Sequence, residues 1–575
     1  MRLMRHLTHW TALLALLAAP VAPGWSQSRQ LLEYPSIRSP VVATRGMVVS
    51  QNEIATQVGI QVLRAGGNAV DASVAVAFAL AVTLPRAGNI GGDGFMTLYD
   101  AKSSHTSVID FRGVAPRAAR LEMFVDDKGE ETRVASFGYR APDVPGTVAG
   151  LELAHRKHGR LPWAKLVEPA IALAADGVVL SPDEAFVFSW GKERLSASDA
   201  GKRTFYKPDG SLYAAGEVLK QSDLAWSLRE IARDGAKAFY TGEIARRIAA
   251  DMAKHGGLIT LADLAAYKAV ERAPLEGSYR GIQIKTVPPA SAGGATLLEI
   301  LNILENFDMA SMPLGSAQSL HVMSEAMKIG YIDRYRYLGD TDFVRVPLRG
   351  FTSKSFAAER AKNVSLERAS RRADQPAGDP WAHESPNTTH FSVVDDQGNA
   401  VSFTYTLGAD FGSGVMVEGT GILMNNQMNN FDHESAWRAI RAGQPLPPNA
   451  MAPGKRMLST MVPSILFKDG KPWLIVGTPG GGTIITTVVQ IIVNTVDYKL
   501  NVAEATHHPR IFQNNTDTLQ VEPNFNPDTL ALLKAKGHRI RSDQTMGSAQ
   551  SIMIENGLIL GGADPRRPGA LAVAQ

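Results

Sequence analysis

Residues 387–408, with the sequence NTTHFSVVDDQGNAVSFTYTLG, limit the possible folds of this chain more than any other stretch. Residues 390–394 and 401–406 are rich in Val, Phe, Tyr and Thr, which favour strands, and a glycine-containing turn sequence joins them. The pattern predicts an antiparallel β-hairpin in which Thr388 begins the first strand and Thr406 ends the second. In simple register, the two threonines lie close together.

Thr388 stands where a cut in the chain would create a new amino terminus. A threonine hydroxyl in mid-chain has no base nearby in sequence, whereas an α-amine has a reference pKa of about 7.7 to 8.0 and can accept the proton of its own hydroxyl. Attack of that hydroxyl on the carbonyl of Asn387, followed by hydrolysis of the ester, would free the amine. Most threonine-rich hairpins are only hairpins, so this segment alone favours a structural hairpin over a catalytic one.

The amino terminus has the pattern of an export signal. Arg2 and Arg5 precede an apolar run over residues 12–19, and small or turn-forming residues follow up to Ser26. This predicts a signal peptide over residues 1–26, because the apolar run is too short to span a membrane. We therefore expect a soluble mature protein in the periplasm or secreted.

Composition excludes several classes of partner and chemistry. Loss of Arg2 and Arg5 takes the formal charge from +3 to +1, so no strong basic field remains for nucleic acid or an anionic membrane. The chain has no cysteine, which excludes disulfides, a thiolate nucleophile and cysteine-bound metal. No G-x-S-x-G or H-E-x-x-H sequence is present, and we expect neither a metal nor a cofactor.

Two further stretches carry local signals. Residues 52–65 read as a helix closed by two glycines, and Asn68 or Asp71 can cap a second, mostly buried helix that runs toward Leu84 and ends before Pro85. Residues 432–453 read as a long irregular insert. A substrate lid and an ordinary surface loop are both open interpretations of that insert.

Several long segments occur in the order typical of one enzyme family. They are GMVVSQNEIATQVGIQVLRAGGNAVDASVAVAFAL (46–80), PRAGNIGGDGFM (85–96), VIDFRGVAPRAA (108–119), PPASAGG (288–294), NTTHFSVVD (387–395), GILMNNQMNNF (421–431), GKRMLSTMVPSI (454–465) and GTPGGGTIITTVVQ (477–490). With these segments the chain resembles the γ-glutamyltranspeptidases, which are N-terminal nucleophile hydrolases. The resemblance implies an α/β (α+β) fold, a four-layer αββα sandwich, cut into a large subunit (27–387) and a small subunit (388–575) that form a heterodimer.

The resemblance also assigns roles to individual residues. Thr388 is implied as the nucleophile, with Thr406 orienting it and assisting the cut after Asn387. The N–H groups of Gly480 and Gly481 are implied as the oxyanion site. The residues implied to bind the substrate carboxylate are a guanidinium and two hydroxyl donors: Arg112, Ser459 and Thr460. Thr460 replaces the second residue of the family's serine pair and keeps its hydroxyl.

The part of the site that holds the substrate's amino end departs from the family pattern. Gln427 matches a residue that positions this end, but Asn430 replaces an aspartate that pairs with the α-ammonium, and Gly408 replaces an asparagine. A charge-assisted contact is worth about 1.5–3 kcal/mol against about 1 kcal/mol for a neutral one, so discrimination for the amino group should fall roughly tenfold. Gly91, Gly92, Asp93 and Gly94 are interpreted as structural packing near the site.

Three functions follow from this pattern. The first is a γ-glutamyltransferase and glutathione hydrolase that transfers the γ-glutamyl group to water or to amino acid or dipeptide acceptors. The second is a glutaryl-type (cephalosporin) acylase with the same chemistry, indicated by Asn430 and Gly408. The third is an uncleaved periplasmic binding protein.

Overall fold

The computed structural model describes residues 36–375, 387–542 and 545–575, and the expected signal peptide lies outside these ranges. Residues from Ser39 to Gln575 form one compact unit. Within the described residues, no helix combines the length and apolarity needed to cross a bilayer.

The strands are short, and most of them belong to two large sheets. In chain order they are β1 (Val41–Ala43), β2 (Met47–Ser50), β3 (Asp93–Asp100), β4 (His105–Asp110), β5 (Val178–Val179), β6 (Val218–Leu219), β7 (Val270–Arg272), β8 (Leu275–Tyr279), β9 (Ile282–Thr286), β10 (Asn387–Val394), β11 (Ala400–Gly408), β12 (Ser464–Lys468), β13 (Lys471–Val476), β14 (Ile511–Phe512), β15 (Thr518–Val521), β16 (Arg539–Ser542), β17 (Gln550–Glu555), β18 (Leu558–Ala563) and β19 (Leu571–Ala574).

The helices lie on the outer faces of these sheets and in the connections. In chain order they are α1 (Glu53–Arg64), α2 (Ala69–Thr83), α3 (Thr147–His158), α4 (Trp163–Asp176), α5 (Pro182–Trp190), α6 (Lys192–Leu195), α7 (Asp199–Phe205), α8 (Ser222–Asp234), α9 (Ala236–Tyr240), α10 (Glu243–Lys254), α11 (Leu261–Ala266), α12 (Gly293–Leu304), α13 (Ala317–Tyr337), α14 (Leu348–Phe351), α15 (Lys354–Ala361), α16 (His433–Ala442), α17 (Thr483–Val496), α18 (Val502–His507) and α19 (Pro527–Ala535).

The described residues form two antiparallel seven-stranded sheets. Sheet 1 has the order β1-β18-β17-β13-β12-β9-β8, and sheet 2 has the order β19-β2-β10-β11-β3-β4-β7. One apolar cluster, which includes Val49, Ile465 and Ile552, lies between the sheets. Helices α1 and α2 pack on the outer face of sheet 2, and α4 packs outside α2. Helix α12 packs on sheet 1, and α13 and α17 pack against α12. The expected αββα sandwich is confirmed.

The predicted pair of capped helices is also confirmed. Asn52 caps α1, and the Asn68 side chain accepts hydrogen bonds from the N–H groups of Val70 and Asp71 at the start of α2. The Asp71 carboxylate accepts a hydrogen bond from the Asn68 N–H, which completes a capping box. Every residue of α2 is buried, because this helix fills the layer between sheet 2 and the outer helices.

The predicted hairpin forms the centre of sheet 2. Strands β10 and β11 pair with Phe391 opposite Phe403, and β11 pairs on its other side with β3. In that second register, Thr406 lies opposite Asp93. The carboxyl end of β11 therefore meets the amino ends of β10 and β3 at one edge of the sheet.

The insert over residues 432–453 is not irregular throughout. It contains α16, which ends at Gly443 in the left-handed conformation. The sequence prediction failed here because this helix has only ten residues and precedes a stretch rich in proline, glycine and polar residues. The rest of the insert, residues 443–453, has no regular structure.

Candidate active site

The amino end of β10 lies against the carboxyl end of β11. Asn387 pairs with Gly408, and the register shifts between Asn387 and Thr389, so the Asn387–Thr388 peptide lies at an irregular point of the ladder. The Thr406 hydroxyl oxygen accepts a hydrogen bond from the Gly408 N–H at 2.8 Å. The hydroxyl of Thr406 is thus fixed at the point where the two strands meet.

Gly408 has a structural reason to lack a side chain. Its φ is +96°, and a Cβ atom there would lie 2.0 Å from Oδ1 of Asn426. That Oδ1 accepts a hydrogen bond from the Ala409 N–H at 2.8 Å. Asn426 therefore fills the space beside Gly408, and the departure from asparagine at this position is compensated by local packing.

Gly480 and Gly481 lie between β13 and α17. Their φ values are +133° and +55°, which favour glycine. Among the described atoms, neither glycine N–H has a hydrogen-bond acceptor. We call these two residues, with the amino end of α17, the glycine corner. Its open N–H groups and the positive end of the helix dipole can stabilise an anion.

The loop that leads from β13 to the glycine corner is close to β10, and the corner itself contacts the segment before β12. A Cβ atom on Gly477 would lie 2.5 Å from Cε1 of His390, two residues after Thr388. The Thr460 hydroxyl donates a hydrogen bond to the Gly481 carbonyl at 2.9 Å. The Ser459 hydroxyl oxygen accepts from the Met461 N–H at 2.9 Å, which leaves its proton available.

Arg112, which follows β4, is completely buried and internally paired. Its Nη1 donates to Oδ1 of Asp93 at 2.6 Å, with side-chain exposures of 1% and 0%. Its Nε donates to the Met457 carbonyl at 3.2 Å and its Nη2 to the Leu458 carbonyl at 3.1 Å. All three guanidinium nitrogens therefore already have protein acceptors.

Asp143 lies beside this pair and was not found by sequence reasoning. It is fully buried, and neither of its carboxyl oxygens accepts a hydrogen bond from a described donor. Burial, and then the neighbouring Asp93 carboxylate, raise the pKa of Asp143 well above its usual range, although Arg112 opposes this. A protonated Asp143 can donate to Asp93. We call Arg112, Asp93 and Asp143 the arginine corner.

Gln427 and Asn430 lie on a short 3-10 helix, Gln427–Asn430, next to this corner. The Gln427 Nε2 donates to Oδ1 of Asp93 at 3.3 Å, and the Asn430 Nδ2 donates to Oε1 of Gln427. The Asn430 Oδ1 is buried and has no described hydrogen-bond donor. Position 430 thus offers a neutral acceptor where a carboxylate was expected from the family pattern.

The structure therefore brings the predicted residues together in one connected region. Backbone pairing joins Asn387 to Gly408 and Thr406 to Asp93, and hydrogen bonds then link Asp93 to Arg112 and Gln427. Sequence reasoning treated Asp93 only as packing near the site. The sequence signal for Asp93 was an acidic residue at the start of a strand, within a glycine-rich stretch. For Asp143, in the segment APDVPG, the sequence has no comparable signal.

Residues 432–453 are held against the site by several contacts. His433 Nδ1 lies 2.8 Å from Oε2 of Glu131, and the Asn449 Nδ2 donates to the Asn430 carbonyl at 2.7 Å. Desolvation of the half-buried Asp432 carboxyl raises its pKa to about 7. Residues 432–453, for which the sequence left a lid and a surface loop open, therefore contact the last residue of the Gln427–Asn430 helix at the candidate site.

His390 is buried two residues after Thr388 and is held neutral. Its Nδ1 lies 2.9 Å from the Thr404 hydroxyl and its Nε2 lies 3.1 Å from the Ser392 hydroxyl. Burial lowers the pKa of His390 to about 3. It therefore adds no positive charge to the core beneath the candidate site.

One cluster away from these elements has ligand types suited to a metal: His321, Glu325 and His538. The two imidazoles contact each other at 2.8 Å, and Glu325 pairs with Lys328 at 3.1 Å. The two imidazoles are therefore partners of each other, and Lys328 balances the charge of Glu325 in place of a metal cation.

Comparison with known proteins places the chain in a family. The family model described as gamma-glutamyltranspeptidase matches residues 55–574. The chain is 47% identical to the glutathione hydrolase proenzyme of Escherichia coli (strain K12) over 96% of this chain and 94% of that protein. The corresponding proenzyme of Pseudomonas sp. (strain A14) is 41% identical, over 93% and 95% of the two chains.

Solved structures agree with this result. A crystal structure of cephalosporin acylase from Bacillus halodurans superposes with a TM-score of 0.85 at 32% identity, and covers 95% of this chain and 98% of that chain. The matched region includes both halves of the sandwich and every residue of the candidate site. The chain belongs to the γ-glutamyltranspeptidase family of enzymes.

Proposed function

We propose that the chain cuts itself between Asn387 and Thr388 and then uses Thr388 to cleave γ-glutamyl amide bonds. The observation that carries the proposal is the strand register, which sets the Asn387–Thr388 peptide across from Gly408 and the fixed Thr406 hydroxyl. Residues 27–387 and 388–575 would then form the large and small subunits of a heterodimer, after export to the periplasm and removal of residues 1–26.

The cut proceeds without a cofactor. The Thr388 hydroxyl attacks the Asn387 carbonyl carbon, the peptide C–N bond breaks, and an ester forms with a free α-amine on Thr388. Water hydrolyses that ester, which leaves a carboxylate on Asn387 and restores the hydroxyl. The Thr406 hydroxyl, held by the Gly408 N–H, is suited to orient the attacking group.

Catalysis repeats the same chemistry on a donor. The Thr388 amine takes the hydroxyl proton, the oxygen attacks the γ-carbonyl, and the N–H groups of Gly480 and Gly481 stabilise the oxyanion. The amine of the donor amide leaves with that proton, and the γ-glutamyl group remains on Thr388 as an ester. Water or the amine of an amino acid or dipeptide then takes the acyl group, and glutathione is one donor of this type.

Substitution of Thr388 tests the proposal. Thr388→Ala should give one full-length band on a denaturing gel and no release of p-nitroaniline from γ-glutamyl-p-nitroanilide. Thr388→Ser keeps a hydroxyl and should still give two bands. A cleaved and active alanine variant would contradict the proposal. A wild-type protein that stays in one piece without turnover would instead support an uncleaved binding protein.

A second donor class is favoured by one observation. Asn430 presents no carboxylate to an α-ammonium, and its neighbour Gln427 is neutral as well. Glutaryl amides, which lack the amino group, would therefore lose little binding free energy at this position relative to γ-glutamyl amides. Comparison of glutaryl-p-nitroanilide with the γ-glutamyl compound at equal concentration decides this, and turnover of the γ-glutamyl compound alone rejects the glutaryl acylase.

A further inference from the structure

The two N–H groups proposed to hold the oxyanion belong to successive peptides of the glycine corner. One is the peptide between Pro479 and Gly480, the other is the peptide between Gly480 and Gly481, and both are trans. A peptide is planar, and in the trans form its C=O and N–H groups point in opposite directions. A group that fixes the carbonyl oxygen therefore also fixes the direction of the N–H group on the same peptide.

A threonine hydroxyl holds each of these two carbonyl oxygens. The Thr478 hydroxyl donates to the Pro479 carbonyl at 2.8 Å, and its oxygen accepts a hydrogen bond from the Ser548 N–H at 2.9 Å. The Thr483 hydroxyl donates to the Gly480 carbonyl at 2.9 Å, and the Thr483 N–H donates to the same oxygen at 3.0 Å. Both hydroxyls thus act on the side of the peptide opposite to the N–H group that would meet an oxyanion.

The next two carbonyls of the segment are held in the same way. The Thr460 hydroxyl donates to the Gly481 carbonyl, and the Tyr331 hydroxyl donates to the Gly482 carbonyl. Four successive carbonyls, those of residues 479–482, therefore each accept from a side-chain hydroxyl. Glycine has more backbone freedom than any other residue, and three consecutive glycines form this segment. The hydroxyls supply the restraint that the glycines themselves lack.

We propose that Thr478 and Thr483 are positioning residues for the oxyanion site. Each hydroxyl fixes one carbonyl, and so directs the Gly480 or Gly481 N–H on the same peptide toward the oxyanion. Because hydrogen bonds in a chain polarise one another, donation to the carbonyl also strengthens the N–H as a donor. The inference rests on the proposed function and deepens it, since it names the side chains that hold the two N–H groups in place.

Thr483→Ala removes one of the two hydroxyls and tests the proposal. With γ-glutamyl-p-nitroanilide, kcat should fall by about fivefold or more while KM stays close to the wild-type value, because the oxyanion exists only during the reaction. Thr483→Ser keeps the hydroxyl and should retain a kcat close to that of the wild type. Thr478→Ala should lower kcat in the same direction. A serine variant as slow as the alanine variant overturns the proposal.

Thr486→Ala is the matched control on the same helix. The Thr486 hydroxyl donates to the Thr483 carbonyl at 3.1 Å. The N–H on that peptide belongs to Ile484 and already donates to the Gly481 carbonyl at 3.2 Å, so it is not available to an oxyanion. The control should lower the midpoint of urea unfolding about as much as Thr483→Ala does, but should leave kcat unchanged. Equal kcat values for Thr483→Ala and Thr486→Ala overturn the proposal.

A measurement without turnover separates this inference from the proposed function. Amide hydrogen exchange of peptic fragments that contain residues 479–483, followed by mass spectrometry, should be faster in Thr483→Ala than in Thr486→Ala, because a released glycine peptide fluctuates more. Equal exchange rates overturn the inference. A wild-type protein that turns over neither the γ-glutamyl nor the glutaryl anilide counts against the proposed function alone, since hydrogen exchange does not require catalysis.

Discussion

The glycine corner and the arginine corner are built in opposite ways. The glycine corner consists of backbone N–H groups with no described acceptors, at the end of an apolar helix. The arginine corner consists of buried charged side chains that already satisfy one another. The first is therefore ready to receive a charge, whereas in the second the charge of Arg112 is already balanced by Asp93. Substitutions at the glycine corner should therefore act on turnover, and substitutions at the arginine corner should act on stability.

Arg112→Gln should have the largest effect and should act on stability. The substitution leaves Asp93 and Asp143 buried without a cation, and loss of one partner from a buried pair costs about 3–5 kcal/mol. In the uncleavable Thr388→Ala background, the midpoint of urea unfolding should fall accordingly. The double variant with Asp93→Asn should recover part of the loss, and an unchanged midpoint for Arg112→Gln would show that the pair is not buried as described.

Gly480→Ala should act on turnover instead. A Cβ atom at φ +133° would lie 2.4 Å from the Thr483 hydroxyl and would displace the N–H from the oxyanion position. Loss of one such donor typically costs about 10²–10³ in kcat. Gly482→Ala is the control, since φ −55° and ψ −31° suit any residue. Similar kcat values for the two variants would show that the Gly480 N–H does not stabilise the oxyanion.

His390 should make stability depend on pH below neutrality. The folded state keeps His390 neutral with a pKa of about 3, while the unfolded chain takes up a proton near pH 6.5. The contribution of neutral His390 to the free energy of unfolding is therefore fully present above about pH 6.5. It falls by about 2 kcal/mol between pH 7 and pH 5. His390→Asn, compared with the wild type by urea unfolding at both pH values, should lose this part of the pH dependence.

Thr406→Val should have the smallest effect of the four. It removes the acceptor of the Gly408 N–H, and a neutral hydrogen bond contributes about 1 kcal/mol, so precursor cleavage should slow roughly fivefold. Thr406→Ser should cleave at nearly the wild-type rate. The loss of full-length precursor with time on a denaturing gel measures both. Equal rates for the valine variant and the wild type would show that the Thr406 hydroxyl does not assist precursor cleavage.

Local features were predictable from the sequence because they depend on neighbouring residues. Strand composition and a glycine turn indicated the β10–β11 hairpin, and Asn68 with Asp71 indicated the start of α2. The sandwich itself followed from family resemblance, since short strands alone do not determine which sheet they join.

The arginine corner was not predictable because it depends on register between distant strands. Asp93 starts β3, Arg112 follows β4, and Asp143 lies in a loop, so only the pairing of β3 with both β4 and β11 sets their distances. The same applies to Gly408, whose lack of a side chain is explained by Asn426 from a later loop. In both cases the sequence did not show which residue, distant along the chain, lies next to the site residue in the fold.

Amino-terminal sequencing of the smaller polypeptide of the purified protein tests the central claim most directly. The account predicts one sequence that begins with Thr388-Thr389-His390, and its absence from the Thr388→Ala variant. A first residue other than Thr388, or the same cut in the alanine variant, would contradict the account, because no new α-amine would then be produced by the threonine itself.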